Sequence, residues 1–226
     1  MRSSRGIGIL AVCGLVFGLM GIGASGAQGA GWMVNGANVS SPTTFILRIV
    51  AESGEATLLS TSGGNKVAIT CTKFEQTGGV AETGGAGKWS VNISGCTTKI
   101  NGKAEANCNP VSQPVQAGGT AQIVKHEGVA YLKLTGTSGV LATFKFNEEA
   151  CVALSPSIKL TGPGWIEDCE GKIETELLTH LFQEGTEAAS ALGGLLFGGN
   201  KATIDGSALY SLIDAAHFDQ NWSYLS

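Results

Sequence analysis

The residues of this chain best equipped for chemistry are its six cysteines, Cys13, Cys71, Cys96, Cys108, Cys151 and Cys169. A thiol can close a disulfide, ligate a metal or act as a nucleophile. No Cys-x-x-Cys pair occurs, and none of the three histidines stands at ligand spacing from a cysteine, which argues against zinc. Disulfides are the reading for a chain that matures outside the cytoplasm, where no reducing pool holds thiols open. Cys13 lies in an apolar leader described below, so five cysteines remain and one stays unpaired. The count alone leaves their connectivity open. Cys96 with Cys108 and Cys151 with Cys169 are the expected bridges, because each closes a short segment rich in Gly, Asn or Pro. Cys71 is then the odd thiol, buried because it continues the inward phase of Val67 and Ile69.

Other chemical signatures do not assemble. Gly84-Gly85-Ala86-Gly87-Lys88-Trp89 has the look of a phosphate loop, but Glu82 stands at the required first glycine and Trp89 at the required Ser/Thr. It reads as a glycine turn before a strand. Neither Gly-x-Ser-x-Gly nor His-Glu-x-x-His is present. Glu167, Asp168, Glu170, Glu174 and Glu176 surround Cys169 without the spacing of a calcium loop and read as a solvated turn. Asp214, His217 and Asp219 could pair as acid and base, yet no motif supports that, and a solvated terminal segment is the simpler account. Trp165 and Tyr131 are candidates to face outward and meet a sugar, whereas Trp89 shares the phase of Val91 and Ile93 and belongs to the core. No catalytic, cofactor or metal residue is assigned, and no cofactor is expected.

Alternation of apolar and polar residues dominates the elements that would hold these groups. Lys88 to Ser94 is apolar at every second position, the mark of a half-buried strand. Ala56–Thr61 and Lys66–Cys71 flank Ser62-Gly63-Gly64-Asn65, a tight hairpin turn whose residues tolerate positive φ. Thr44 to Val50 reads as a central strand. A meander of strands is expected near 120–126, 129–135, 140–146, 151–154 and 157–161, its connections too short for anything but antiparallel neighbours. The aperiodic 109–119 stretch could divide two lobes. Leu177, Leu178, Leu181 and Phe182 recur at helical spacing, so one or two short helices are expected over 175–197, with Leu195-Leu196-Phe197 filling the core. Strands return near 201–205 and 207–213. The expected fold is mainly β, an antiparallel β-sandwich or flattened barrel with a small helical insertion.

Composition narrows the function classes. The 226 residues hold 34 Gly and only 14% charged side chains, which excludes a charged disordered chain and disfavours long helices. With 14 Lys+Arg against 18 Asp+Glu there is no basic surplus for a nucleic-acid backbone, so no nucleic-acid partner is expected. Arg2 and Arg5 precede a charge-free apolar run from Ile7 to Ile22 and then Ser25-Gly26-Ala27, the layout of a cleavable signal peptide. This gives a leader over 1–27 and a single β-rich domain over 28–226, with no membrane span after cleavage. Removing Arg2 and Arg5 takes the formal charge from −4 to −6.

Trp32-Met33-Val34-Asn35-Gly36, Ala68-Ile69-Thr70-Cys71, Ser94-Gly95-Cys96, Gly206-Ser207-Ala208, Leu212, Ala216-His217 and Asn221-Trp222-Ser223 resemble a group of exported, uncharacterised proteins of high-GC Gram-positive bacteria. The resemblance implies a secreted, β-rich protein and brings no activity with it. The functional expectation is a secreted or cell-surface protein, free in the extracellular space or associated with the cell wall. It would be non-catalytic, binding a ligand or partner such as a cell-wall or extracellular polymer, or serving structurally. The alternative is a secreted hydrolase acting on envelope or environmental polymers.

Overall fold

The structure, a computed structural model, describes residues 31–34, 37–38, 47–51, 55–126, 129–168, 176–181, 194–212 and 222–225. The leader expected over 1–27 lies outside these residues, as do Cys169, Glu170, Glu174, Asp214, His217 and Asp219. In chain order the strands are β1 (Gly31–Val34), β2 (Ala37–Asn38), β3 (Leu47–Ala51), β4 (Ala56–Ser62), β5 (Asn65–Cys71), β6 (Lys73–Ala81), β7 (Ala86–Ser94), β8 (Thr97–Ile100), β9 (Lys103–Ala104), β10 (Val115–His126), β11 (Val129–Gly136), β12 (Val140–Lys145), β13 (Ser157–Thr161), β14 (Gly164–Asp168), β15 (Glu176–Leu181), β16 (Leu196–Phe197), β17 (Asn200–Asp205), β18 (Ser207–Leu212) and β19 (Trp222–Leu225). β19, β1 and β2 form a small sheet. The others hydrogen-bond in the order β3-β18-β15-β14-β11-β10-β12-β13-β16-β17-β4-β5-β8-β9, with β7 on the second edge of β10 and β6 beyond it. This antiparallel sheet curls into a half-barrel, so the fold is mainly β and fits a β-sandwich or flattened barrel.

The hairpin expected at Ser62–Asn65 is present. Gly63 and Gly64 both have positive φ, +56° and +82°, which aligns the turn with the twist of the β4–β5 ladder. In β5, Val67, Ile69 and Cys71 are buried at 3%, 1% and 5% exposure while Lys66 points to solvent, so period-two patterning fixes which face meets the core.

The sheet has a first limb, β3-β18-β15-β14-β11-β10-β7-β6, and a second, β12-β13-β16-β17-β4-β5-β8-β9. The chain crosses between them several times, at one point where β5 and β8 continue into β6 and β7. The β6–β7 ladder ends on Lys73↔Ser94, and the β5–β8 ladder begins on Thr70↔Thr97. These are one register, interrupted at the Thr72/Gly95 and Cys71/Cys96 positions. Gly95 takes φ +66°, and a Cβ there would overlap Thr72 Oγ1, so glycine permits the bend where the ladder passes between limbs.

Another crossing follows β11. β10 pairs with β11 from Gly119↔Gly136 to His126↔Val129, and on the same edge Ala117 pairs with Ala142 of β12. Both are antiparallel to β10, so β11 and β12 run in one direction, end to end, and not side by side as their short connection led us to expect. The loop between them folds into a local knot: Gly139 N–H donates to Gly136 O at 2.9 Å and Val140 N–H to Thr137 O at 3.1 Å. An inserted loop of this kind turns a strand out of one ladder and into the next. β12 then pairs with β13.

Two further expectations are corrected. Residues 176–181 form strand β15, held between β14 and β18, where helix was expected. Six residues are too few for a stable helix alone, and partners on both edges override weak local propensity. Residues 182–193 lie outside the described residues, which hold helical geometry only in 3₁₀ turns at Thr83–Gly85 and Ala106–Cys108. The strand expected near 151–154 is instead a turn, because Asn147 Oδ1 accepts from Glu149 and Ala150 N–H groups at 3.0 and 3.2 Å and Asn147 O accepts from Cys151 N–H. β3 pairs with β18 and lies beside β6, while residues 44–46 of the strand expected over Thr44 to Val50 lie outside the described residues.

One buried cluster draws on both limbs, from Val91, Val115 and Ala117 to Ile69, Leu141 and Phe197. Phe197 has 0% exposure, as expected of the Leu195-Leu196-Phe197 run, and meets Phe144 edge to face at 5.7 Å between centroids. Burying such a ring is worth about 1.5–3 kcal/mol. Trp32 of β1 is 6% exposed and its indole N–H donates to Ala86 O at 2.8 Å, which anchors the small terminal sheet to β7.

Candidate functional site

The most heavily constructed region lies where the cysteines gather. Cys71 bonds to Cys96 and Cys108 to Cys151, with Cα atoms 4.0 and 4.8 Å apart. The expected pairs, Cys96 with Cys108 and Cys151 with Cys169, are therefore replaced, and Cys71 is a bridge partner and not a free thiol. The reason is register: Thr70↔Thr97 puts Cys71 and Cys96 one step further along the same ladder, directly opposed. A reading that ends a strand at Ser94 and treats 95–102 as loop misses this. The signal was present in the alternation Cys96, Thr98, Ile100, all buried.

Cys108 arrives by a different route. Glu105 N–H donates to Thr98 O at 2.9 Å, the 3₁₀ turn over Ala106–Cys108 follows, and Cys108 N–H closes it on Glu105 O. The next residues form a strap along β8. Asn109 Oδ1 accepts from Thr98 N–H at 2.8 Å; Gln113 Oε1 accepts from Cys96 N–H at 3.0 Å while Gln113 Nε2 donates to Cys96 O at 3.4 Å and to Pro110 O at 3.1 Å. Two side-chain amides thus do the work of a neighbouring strand and cover backbone groups that would otherwise form an open edge. Val111 N–H donates to Lys145 O at 2.8 Å, tying the strap to β12. Cys151 meets Cys108 from the turn set by Asn147.

All four bridged cysteines are buried, at 5%, 3%, 4% and 1% exposure for Cys71, Cys96, Cys108 and Cys151. Their sulfurs are shielded from exchange with an outside thiol. The chemistry of this arrangement is mechanical: it fixes the crossing between limbs and the strap. One polar atom is left over, since Thr98, 2% exposed, has an Oγ1 without a hydrogen-bond partner.

The remaining candidates separate. Tyr131, expected outward, is 4% exposed and so offers no ring to a sugar. Trp165 is half-buried on β14 opposite Lys133, whose Nζ lies 5.4 Å from its ring centroid, a cation–π contact across the ladder. Trp89 is half-buried, packs on the core and donates to Thr120 O at 3.2 Å. Lys88, from the glycine-rich turn, pairs with Glu82 at 3.5 Å. Glu167 and Asp168 belong to β14, and among the described residues no three His, Cys, Asp or Glu side chains come together as a metal group. Nor is any helix among them long and apolar enough to cross a membrane. No protein-family model, curated protein or solved structure matches this chain.

Proposed function

We propose that this protein is exported and acts outside the cell or at its surface as a non-catalytic binding or structural protein. The observation that carries the reading is the burial of two disulfides inside an antiparallel β fold. Bridges of this kind form and persist in oxidising compartments, and a reducing cytosol opposes them. The leader-like residues 1–27 and the resemblance to exported proteins of high-GC Gram-positive bacteria support the same reading. The geometry described above invests its polar side chains in holding the strap and the crossings.

Fractionation of the native host, followed by a substrate screen, tests this. The protein is expected in the culture fluid or wall fraction, with an N-terminus near Gln28, and with saturable binding to envelope material but no turnover of glycans, peptides or esters. Full-length protein in the cytosol contradicts export; turnover abolished by one point substitution contradicts the non-catalytic reading and favours a hydrolase.

A further inference from the structure

The outward face of the second limb is cationic, although the whole chain carries a formal charge of −4. Burial alternates along most of these strands, with a break at Leu141 and Ala142 where β12 carries a bulge. Val67 and Ile69 point inward and Lys66 outward on β5; Thr98 and Ile100 inward and Lys99 outward on β8. Phe144 and Phe146 flank exposed Lys145, Ile158 and Leu160 flank exposed Lys159, and Ala202 follows exposed Lys201. Five lysines therefore share one face, and the acidic residue among the outward positions of these strands is Asp205. A solvated sheet face needs charge, but it does not need charge of one sign.

Register places them. Leu196↔Lys201, Ala202↔Ser60 and Thr61↔Lys66 put Lys201 and Lys66 in one row two strands apart, about 10 Å. Ala68↔Lys99 sets Lys99 diagonally beyond Lys66, and Thr143↔Lys159 sets Lys159 on the far side. Thr57, Thr61, Thr70 and Thr97 stand on the same face, whereas the hydroxyl of Thr203 is buried. Charges this far apart do not converge on one small anion, which needs donors within about 3 Å of its oxygens. They suit anionic groups repeated along an extended chain. No Trp, Tyr or Phe stands among the outward positions of these described strands, so the face lacks the rings on which single-stranded nucleic acid stacks.

We infer that this lysine face binds a linear polyanion whose charges are carried on a carbohydrate or polyol backbone, the lysines meeting carboxylate or phosphate and the threonines meeting hydroxyls. The inference rests on the exported, ligand-binding reading above and names its ligand class.

The test uses protein purified from the native host, with polygalacturonate, poly(glycerol phosphate), neutral dextran of matched length and an oligothymidylate as probes, followed by calorimetry at about 0.02 M and about 0.5 M salt. Binding to either polyanion, absent for dextran and lost at high salt, is expected, and the preferred polyanion identifies the anionic group. K66E with K201E should weaken it at least about tenfold, because charge contacts set affinity by ion release. K88E, on the first limb, should leave it unchanged; circular dichroism and melting confirm that both variants fold. No binding to either polyanion at low salt, equal loss in K88E, or preference for the oligothymidylate overturns the inference. Export and intact bridges would survive that result, whereas a cytosolic, fully reduced protein would overturn the earlier reading by itself.

Discussion

Cys71 and Cys96 face each other at the step where a single antiparallel register, Thr70↔Thr97 on one side and Lys73↔Ser94 on the other, passes from one limb of the sheet to the other. The covalent link sits beside the bend permitted by Gly95, so the crossing is held on both sides of the Thr72/Gly95 position. A hydrogen-bonded ladder that bends is weakest at the bend, and here a disulfide replaces the missing ladder contacts.

Removing that link should be measurable as stability. Cys71→Ala with Cys96→Ala opens a separation of 25 residues and should lower the unfolding free energy by about 3.5 kcal/mol in the chain-entropy relation. Cys108→Ala with Cys151→Ala, across 43 residues, should lower it by about 4 kcal/mol. Equilibrium urea unfolding reads both; losses under about 1 kcal/mol in either double variant would mean that the bridges do not hold the native fold.

At the crossing that follows β11, a Cβ on Gly136 would overlap the Val140 carbonyl and the Leu141 nitrogen, whereas Gly139 at φ +80° has open space around it. Gly136→Ala should therefore cost upward of about 3 kcal/mol, through forced backbone displacement, and Gly139→Ala about 1–2 kcal/mol, through its left-handed conformation alone. Equal melting-temperature losses would contradict the end-to-end placement of β11 and β12.

The β4–β5 turn is secured from outside by Asn101. Its N–H donates to Lys66 O at 2.8 Å, its Oδ1 accepts from Lys66 N–H at 2.9 Å, and its Nδ2 donates to Asn65 Oδ1 at 2.9 Å. Asn101 has φ +49°. Asn101→Gly keeps that conformation and loses the side-chain bonds, for about 1 kcal/mol; Asn101→Ala should lose about 1 kcal/mol more. Chemical denaturation in which alanine is as well tolerated as glycine would remove the conformational part of this account.

Thr98 offers a gain. Its buried hydroxyl lacks a partner while its backbone N–H is already bonded to Asn109. Thr98→Val keeps the shape, removes the unsatisfied oxygen and should stabilise the fold by about 1 kcal/mol. A loss of similar size in calorimetry would show that the hydroxyl has a partner in solution.

What the sequence revealed was local. Ser62-Gly63-Gly64-Asn65 announced a hairpin because the turn chemistry sits in four adjacent residues, and Val67, Ile69 and Cys71 announced their inward face by alternation. The disulfide partners did not show, because opposition of Cys71 and Cys96 depends on a register set by the whole ladder. Strand β15 was hidden for a related reason: Leu177, Leu178 and Leu181 fit a helical period, and partners distant in sequence decided the matter. Tyr131 read as outward because alternation with Leu132 and Leu134 gives a side and not what covers it. The lysine face was equally invisible, since its members are spread from Lys66 to Lys201 and only strand order brings them together.

The account depends most on the four paired cysteines, and peptide mapping of the native protein without reduction addresses them directly. Linked peptides joining Cys71 to Cys96 and Cys108 to Cys151 are the predicted result. Cys96 joined to Cys108, or all four thiols open to alkylation in the folded protein, would contradict it.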